Sequence, residues 1–232
     1  MSSAAALALG APPVWSWDIA RDAMPSLLRG LAVTLQIVVI GMIVALALGL
    51  VWAVLRRSQH RLVRWPVIAL LELVRSTPLL VQLFFLYYAV LPGIGIASSP
   101  LITGALALGL HYSCFTAEVY RAGIEGVPRG QWDAARALHL SRYHTYRHVI
   151  LPQAIPPIIP AMGNYLIAIF KDTPLLSAIT VVEVLQQALN FGSEHFRYLE
   201  PLTMVGLLYL TLSLISGSFV HWLEVRLKLE RR

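Results

Sequence analysis

The sequence predicts an all-α, polytopic membrane protein with about five transmembrane helices. Three observations predict it. Of 232 residues, 57% are hydrophobic and only 13% charged, whereas a soluble domain carries about 25% charged residues. Several apolar runs approach the ~20 residues that a helix needs to cross a bilayer, and helices can cross because they satisfy their own backbone groups. Basic residues also gather in alternate connections, the mark of cytoplasmic loops.

The opening run MSSAAALALGAPP has no basic stretch ahead of its apolar residues, so it makes a poor signal peptide. Residues 1–26 are expected outside, with the first span acting as the insertion signal. That span is 27–55. The second, 66–91, opens at Pro66 and closes before Pro92-Gly93. The third is 100–122, the fourth 157–182 and the fifth 201–224. Residues 27–224 thus form one membrane domain, followed by a basic tail, 225–232. The outer link 92–99 carries no charge. The other outer link, 183–200, carries Glu183, Glu194 and Glu200 and suits a short helix on the outer surface, with Gln186, Gln187 and Asn190 solvated.

Charge sets the orientation. Arg56, Arg57, Arg61 and Arg64 follow the first span. Arg121, Arg129, Arg136, Arg142 and Arg147 surround the stretch 127–154, and Arg226, Lys228, Arg231 and Arg232 end the chain. The other side has only Arg21, Arg29 and Arg197. The positive-inside rule therefore places the N-terminus outside and the C-terminus in the cytoplasm. The net charge of +6 reflects these loops and not a nucleic-acid partner. The single cysteine, Cys114, allows no internal disulfide and no metal or redox motif.

The long polar stretch VPRGQWDAARALHLSRYHTYRHVILPQA, residues 127–154, needs explaining. Pro128 and Gly130 break the preceding helix. QWDAARAL then reads as a short helix, with Trp132, Ala135 and Leu138 on one side. Ser141 is suited to N-cap a second helix, RYHTYRHVIL, which Pro152 ends or redirects. Periodicity alone fits either an amphipathic hairpin on lipid headgroups or a docking element for a soluble partner.

The stretch resembles the cytoplasmic "EAA" signature of bacterial ABC-importer permeases: Glu-Ala-Ala, three residues, Gly, nine residues, Ile, one residue, Leu-Pro. The matching positions are Asp133, Ala134, Ala135, His139, Val149, Leu151 and Pro152. Asp, Val and His139 depart from the pattern. His139 stands where a glycine supplies positive φ, a conformation that His tolerates better than most residues. The segments 75–88, 117–138, 149–179 and 196–201 are similar to the polar amino acid permease branch, the histidine/glutamine/arginine type. GLHYS (109–113) and ITVVEVLQQA (179–188) are similar to ectoine/hydroxyectoine importer permeases.

This resemblance implies a coupling loop over about 125–152 that docks on an ATP-binding subunit. Its matching positions are Gln131, Trp132, Asp133, Ala134, Ala135, Arg136, Leu138, His139, Ser141 and Arg142, with Trp132 and Leu138 as apolar anchors and Arg136 and Arg142 at the rim. It also implies a dimer of ATP-binding subunits, a second permease copy or sister permease, an extracytoplasmic substrate-binding protein, and the bacterial inner membrane. The chain has no G-x-x-x-x-G-K-[ST] phosphate loop. It is thus expected to bind no cofactor itself, with ATP and Mg in the partner subunit.

Ionisable residues inside spans are costly and raise functional hypotheses. Here they are Glu72 and Arg75 in the second span and Lys171 and Asp172 in the fourth, with His111 in the third. RSTPLL (75–80) and KDTPLL (171–176) echo each other. Pro78 and Pro174 free the carbonyls of Val74 and Phe170. One reading has these charges lining a pathway, the basic groups meeting a substrate carboxylate and the acidic groups a cation. The other has them as ion pairs that brace kinked helices. His111 likewise either faces the pathway or bonds a neighbouring helix. Glu118 and Arg121, three residues apart, are suited to pair.

Three functions remain: the permease subunit of an importer for polar amino acids or related zwitterions, a stand-alone secondary transporter or channel, and a membrane enzyme. A stand-alone carrier is often built on inverted repeats, and the echo runs in parallel. An enzyme needs a reactive constellation, and the sequence offers no catalytic dyad or metal-ligand set.

Overall fold

The computed structural model describes residues 14–227 as a bundle of α-helices. The opening run 1–13 and the tail residues Lys228, Arg231 and Arg232 lie outside the described residues. Helix α1 (Trp17–Arg56) is capped by Ser16, whose Oγ accepts from the Ile19 N–H at 3.4 Å. Asp18 in its first turn and Arg56 in its last complement the helix dipole. It starts ten residues before the expected limit of 27 and, at about 1.5 Å per residue, outreaches the bilayer core.

The second expected span is not one helix. It is two, α2 (Arg61–Arg75) and α3 (Leu79–Gly93), bent by 109° at residues 76–78. Pro78 cannot donate to the preceding turn, so the chain leaves the helix there. The stretch Phe85–Val90 within α3 is π-helical. Helix α4 (Pro100–Glu125), capped by Ser99, lies along α1. Small residues bring the two backbones close: Gly41 faces the Ala105 carbonyl, and Gly49 faces Thr116. Thr116 Oγ1 donates to the Ala45 carbonyl at 2.7 Å, and Trp52 Nε1 donates to Ser113 Oγ at 3.0 Å.

A short α5 (Arg129–Ala137) leads to α6 (Arg142–Ile179). Pro152 does not end this helix. A π-helical stretch, Thr145–Ile150, lies just before it, and Pro152 falls in the first turn of the α-helical run Leu151–Asp172, where a missing donor costs least. Gln153 Nε2 donates to the Val149 carbonyl at 2.7 Å. α6 ends in a 3₁₀ stretch, Thr173–Ile179. Then come α7 (Val184–His195), in the link 183–200, and α8 (Leu199–Arg226). The central core, which includes Ile37, Leu83, Leu108, Ile169 and Leu176, forms where α1, α3, α4 and α6 meet.

Three helices, α1, α6 and α8, are each long and apolar enough to cross a membrane, and the bent α2–α3 pair makes a fourth. α4, the remaining expected span, is not among them. Thr103, Ser113 and Thr116 on it are buried against protein neighbours, and its exposed large apolar residues, Ile102, Leu106 and Leu110, form one narrow edge, so most of its sequence answers to protein neighbours.

Candidate functional site

The α5–α6 loop is built from two helix-ending devices. At the C-terminus of α5, the His139 N–H donates to the Arg136 carbonyl at 2.9 Å and the Leu140 N–H to the Ala135 carbonyl at 3.1 Å. This is the Schellman pattern, which places the residue after the cap in the left-handed region. His139 is that residue, with φ 53°. Position 139 is therefore a left-handed one, and here it is occupied by a non-glycine residue. At the start of α6, Ser141 Oγ accepts from the His144 N–H at 3.3 Å, capping the helix as its sequence suggested. His139→Gly relieves the left-handed strain, about 1 kcal/mol. It should raise the thermal midpoint of the detergent-solubilised protein; a lowered midpoint would show that the imidazole makes a contact of its own.

The two expected anchors face opposite ways. Ala135 is buried, and Trp132 turns inward onto Val127, Ile150 and Tyr146, its ring 5.6 Å from that of Tyr146. Leu138 points out and is 72% exposed, and Tyr143 is exposed as well. Trp132 thus roots α5 on the membrane body, and Leu138 is free. Asp133 pairs with Arg136 at 2.6 Å on the exposed side. Gln131, Ala134 and Arg142 are exposed as well.

The intramembrane charges fall into two groups. Arg75 lies at the α2–α3 elbow, 3.5 Å from both Glu72 and Glu118. Glu118 also pairs with Arg56, in the last turn of α1, and with Arg121 at 2.7 Å. Three arginines from three helices therefore converge on one carboxylate. Glu72 and Arg75 belong to this cluster and not to the interior of a straight span. The second group lies about two turns along α4. Tyr112 Oη donates to Asp172 Oδ2 at 2.7 Å, and His111, Tyr112, Phe115 and Tyr165 form an aromatic cluster with ring centroids 5.2–6.0 Å apart. Phe115 bridges the groups, since the Arg75 guanidinium lies 5.8 Å from its ring centre. Lys171 is exposed and has no ion-pair partner among the described residues.

Both freed carbonyls are bonded again. Thr173 Oγ1 donates to the Phe170 carbonyl at 2.8 Å. At the elbow, Gln82 Nε2 lies 2.6 Å from the Val74 carbonyl, 3.0 Å from the Thr77 carbonyl and 2.7 Å from Thr77 Oγ1. These acceptors fix the amide's orientation, so Gln82 Oε1 faces His111 Nδ1 at 2.9 Å and that nitrogen carries the proton. Sequence reasoning missed Gln82. Its signal was a lone amide in the apolar run LLVQLFF.

Glu183 was also missed as a structural residue. It is fully buried and caps α7, accepting from the Leu185 and Gln186 N–H groups at 2.9 and 2.8 Å. Tyr209 Oη, 3.3 Å from it, lies 2.9 Å from Thr173 Oγ1, so the α7 cap connects to the break in α6. Burial pushes the Glu183 carboxyl above the usual carboxylate range, and its hydrogen bonds act against that shift.

Residues 45–229 match the family model for the binding-protein-dependent transport system inner membrane component. The chain belongs to that family. It is accordingly a membrane transport subunit and not an enzyme. A probable amino-acid ABC transporter permease, y4tG of Sinorhizobium fredii, is 49% identical over 92% of this chain and 95% of its own. The arginine transport system permease ArtQ of Bacillus subtilis is 34% identical, over 88% and 94%. The crystal structure of an amino acid ABC transporter with histidines superposes with a TM-score of 0.83 at 32% identity, covering 88% of this chain and 94% of that one. An inward-facing MetNI methionine ABC transporter, 20% identical with a TM-score of 0.67, shares the fold.

Proposed function

We propose that this chain is the permease subunit of an ATP-driven importer for polar amino acids or related zwitterions, ectoine-type solutes included, and forms half of the translocation pathway. It inserts with its N-terminus outside and its C-terminus in the cytoplasm. A second permease, a pair of ATP-binding subunits holding ATP and Mg, and an extracytoplasmic binding protein complete the system. The observation that carries this reading is the α5–α6 loop: a capped helix–turn–helix, rooted by Trp132 and presenting Leu138 and Tyr143 outward, in a chain without a phosphate loop of its own. Transporter names among the relatives support the amino-acid class. The aromatic cluster supports it too, because it lies between Arg75, suited to a carboxylate, and Asp172, suited to an ammonium group.

The loop separates docking from folding. Leu138→Asp alters an exposed side chain, so the permease should keep its thermal midpoint while co-purification of the ATP-binding subunit is lost. Trp132→Ala should lower the midpoint as well, because it unpacks the loop from Tyr146 and Ile150. An ATP-binding subunit that stays on the Leu138→Asp protein would overturn the docking account.

A further inference from the structure

Helix α2 lies across the direction of α3 and has more apolar surface than its neighbours use. Val67 and Leu71 pack on Trp52, Leu55 and Cys114. The opposite side leaves Leu62 92% exposed, Leu73 63% and Trp65 59%. Arg61, Arg64, Glu72 and Arg75 fill the arc between these two faces. Glu72 and Arg75 are engaged in the Glu118 cluster. Arg61 and Arg64 have no ionic partner among the described residues, and Arg64 Nε is buried without a hydrogen bond.

The exposed face continues into a groove of about 400 Å³ beneath the elbow, whose walls include Leu70, Leu73, Val81, Phe85, Leu110 and Cys114. The polar groups on its walls, Thr77, Gln82 and Ser113, already bond within the protein. The groove therefore suits hydrocarbon, while the helix above it carries two guanidinium groups without an ionic partner among the described residues, that of Arg64 lying 5.7 Å from the Trp65 ring centre. We propose that α2 and this groove hold one anionic phospholipid, an acyl chain in the groove and the phosphate against Arg61 and Arg64. In-plane amphipathic helices with basic residues bind anionic lipid in this way. Only the choice of leaflet, the cytoplasmic one, rests on the orientation proposed above.

The test uses the purified transporter complex, loaded in detergent with phosphatidylglycerol or phosphatidylcholine and weighed by native mass spectrometry. Phosphatidylglycerol should be retained in preference. R61Q/R64Q should weaken its retention on the order of twentyfold, about fivefold per arginine. A photo-crosslinking residue at Leu73 should yield a lipid adduct. Equal retention of the two lipids, unchanged retention in R61Q/R64Q, or a Leu73 adduct to a second permease or to the ATP-binding subunit would each overturn the proposal. One-sided labelling of a cysteine placed at Gln59 reads the leaflet separately, so an error in orientation would move the site without abolishing it.

Discussion

Gly30→Val will separate α7 from α1 and give a large loss of stability. A Cβ at Gly30 would stand 2.8 Å from the Val184 Cα and 2.9 Å from the Glu183 carbonyl oxygen, both backbone atoms, with the Gln187 side chain at 2.9 Å. A side chain can rotate away from such a contact; a backbone cannot move without its helix. Moving α7 would break the bond from the Val184 N–H to Thr34 Oγ1, 3.3 Å, and disturb the Glu183 cap. Overpacking costs about 1–3 kcal/mol and occasionally more, and contact with backbone atoms puts this case at the upper end. Heat-induced unfolding in detergent, followed by size exclusion, should show a much lower midpoint. Gly206→Ala is the control: nothing lies within 4 Å of a Cβ there, so helix propensity should raise stability by about 0.8 kcal/mol. An unchanged midpoint for Gly30→Val would mean that the α1–α7 contact is not maintained.

Gln82→Leu should be nearly as damaging, although it keeps the volume. It removes the donor from the Thr77 carbonyl, weakens the satisfaction of Val74 and leaves His111 Nδ1 without its acceptor. Each buried polar group left alone costs about 1–3 kcal/mol, so the loss should be on the order of 3 kcal/mol. The double variant Gln82→Leu/His111→Leu removes the orphaned imidazole along with its partner. It should be less destabilised than the sum of the single variants. Strict additivity would show that the Gln82–His111 contact contributes nothing.

Local rules carried far in this sequence. The Ser141 cap and the left-handed turn at His139 were legible because both depend on one or two residues and their nearest carbonyls. The family was legible in residue matches spread over most of the chain. Direction was harder. Periodicity grouped Trp132 with Leu138, but it cannot say which edge of a short helix meets the body, and here Tyr146 and Ile150, from the next helix, draw Trp132 inward. Pro78 announced a break at residues 75–78. Its size, 109°, goes with packing of α2 on other helices, on Trp52 of α1 and Cys114 of α4, which local rules do not reach. For the same reason the charges at 72 and 75 read as intramembrane, although Arg75 meets Glu118, which also pairs with Arg56 in the last turn of α1.

The elbow also bears on the order in which the chain can enter a bilayer. Gln82 lies within the same hairpin as the carbonyls it serves, at Val74 and Thr77, so the bend carries its own hydrogen-bond donors. It can leave the insertion machinery already closed, before any later helix arrives. His111 belongs to the next segment to emerge, and its proton then occupies the one side of the Gln82 amide still open. The bend is thus complete in two steps that follow the direction of synthesis. At neither step do the Val74 and Thr77 carbonyls have to face lipid unpaired.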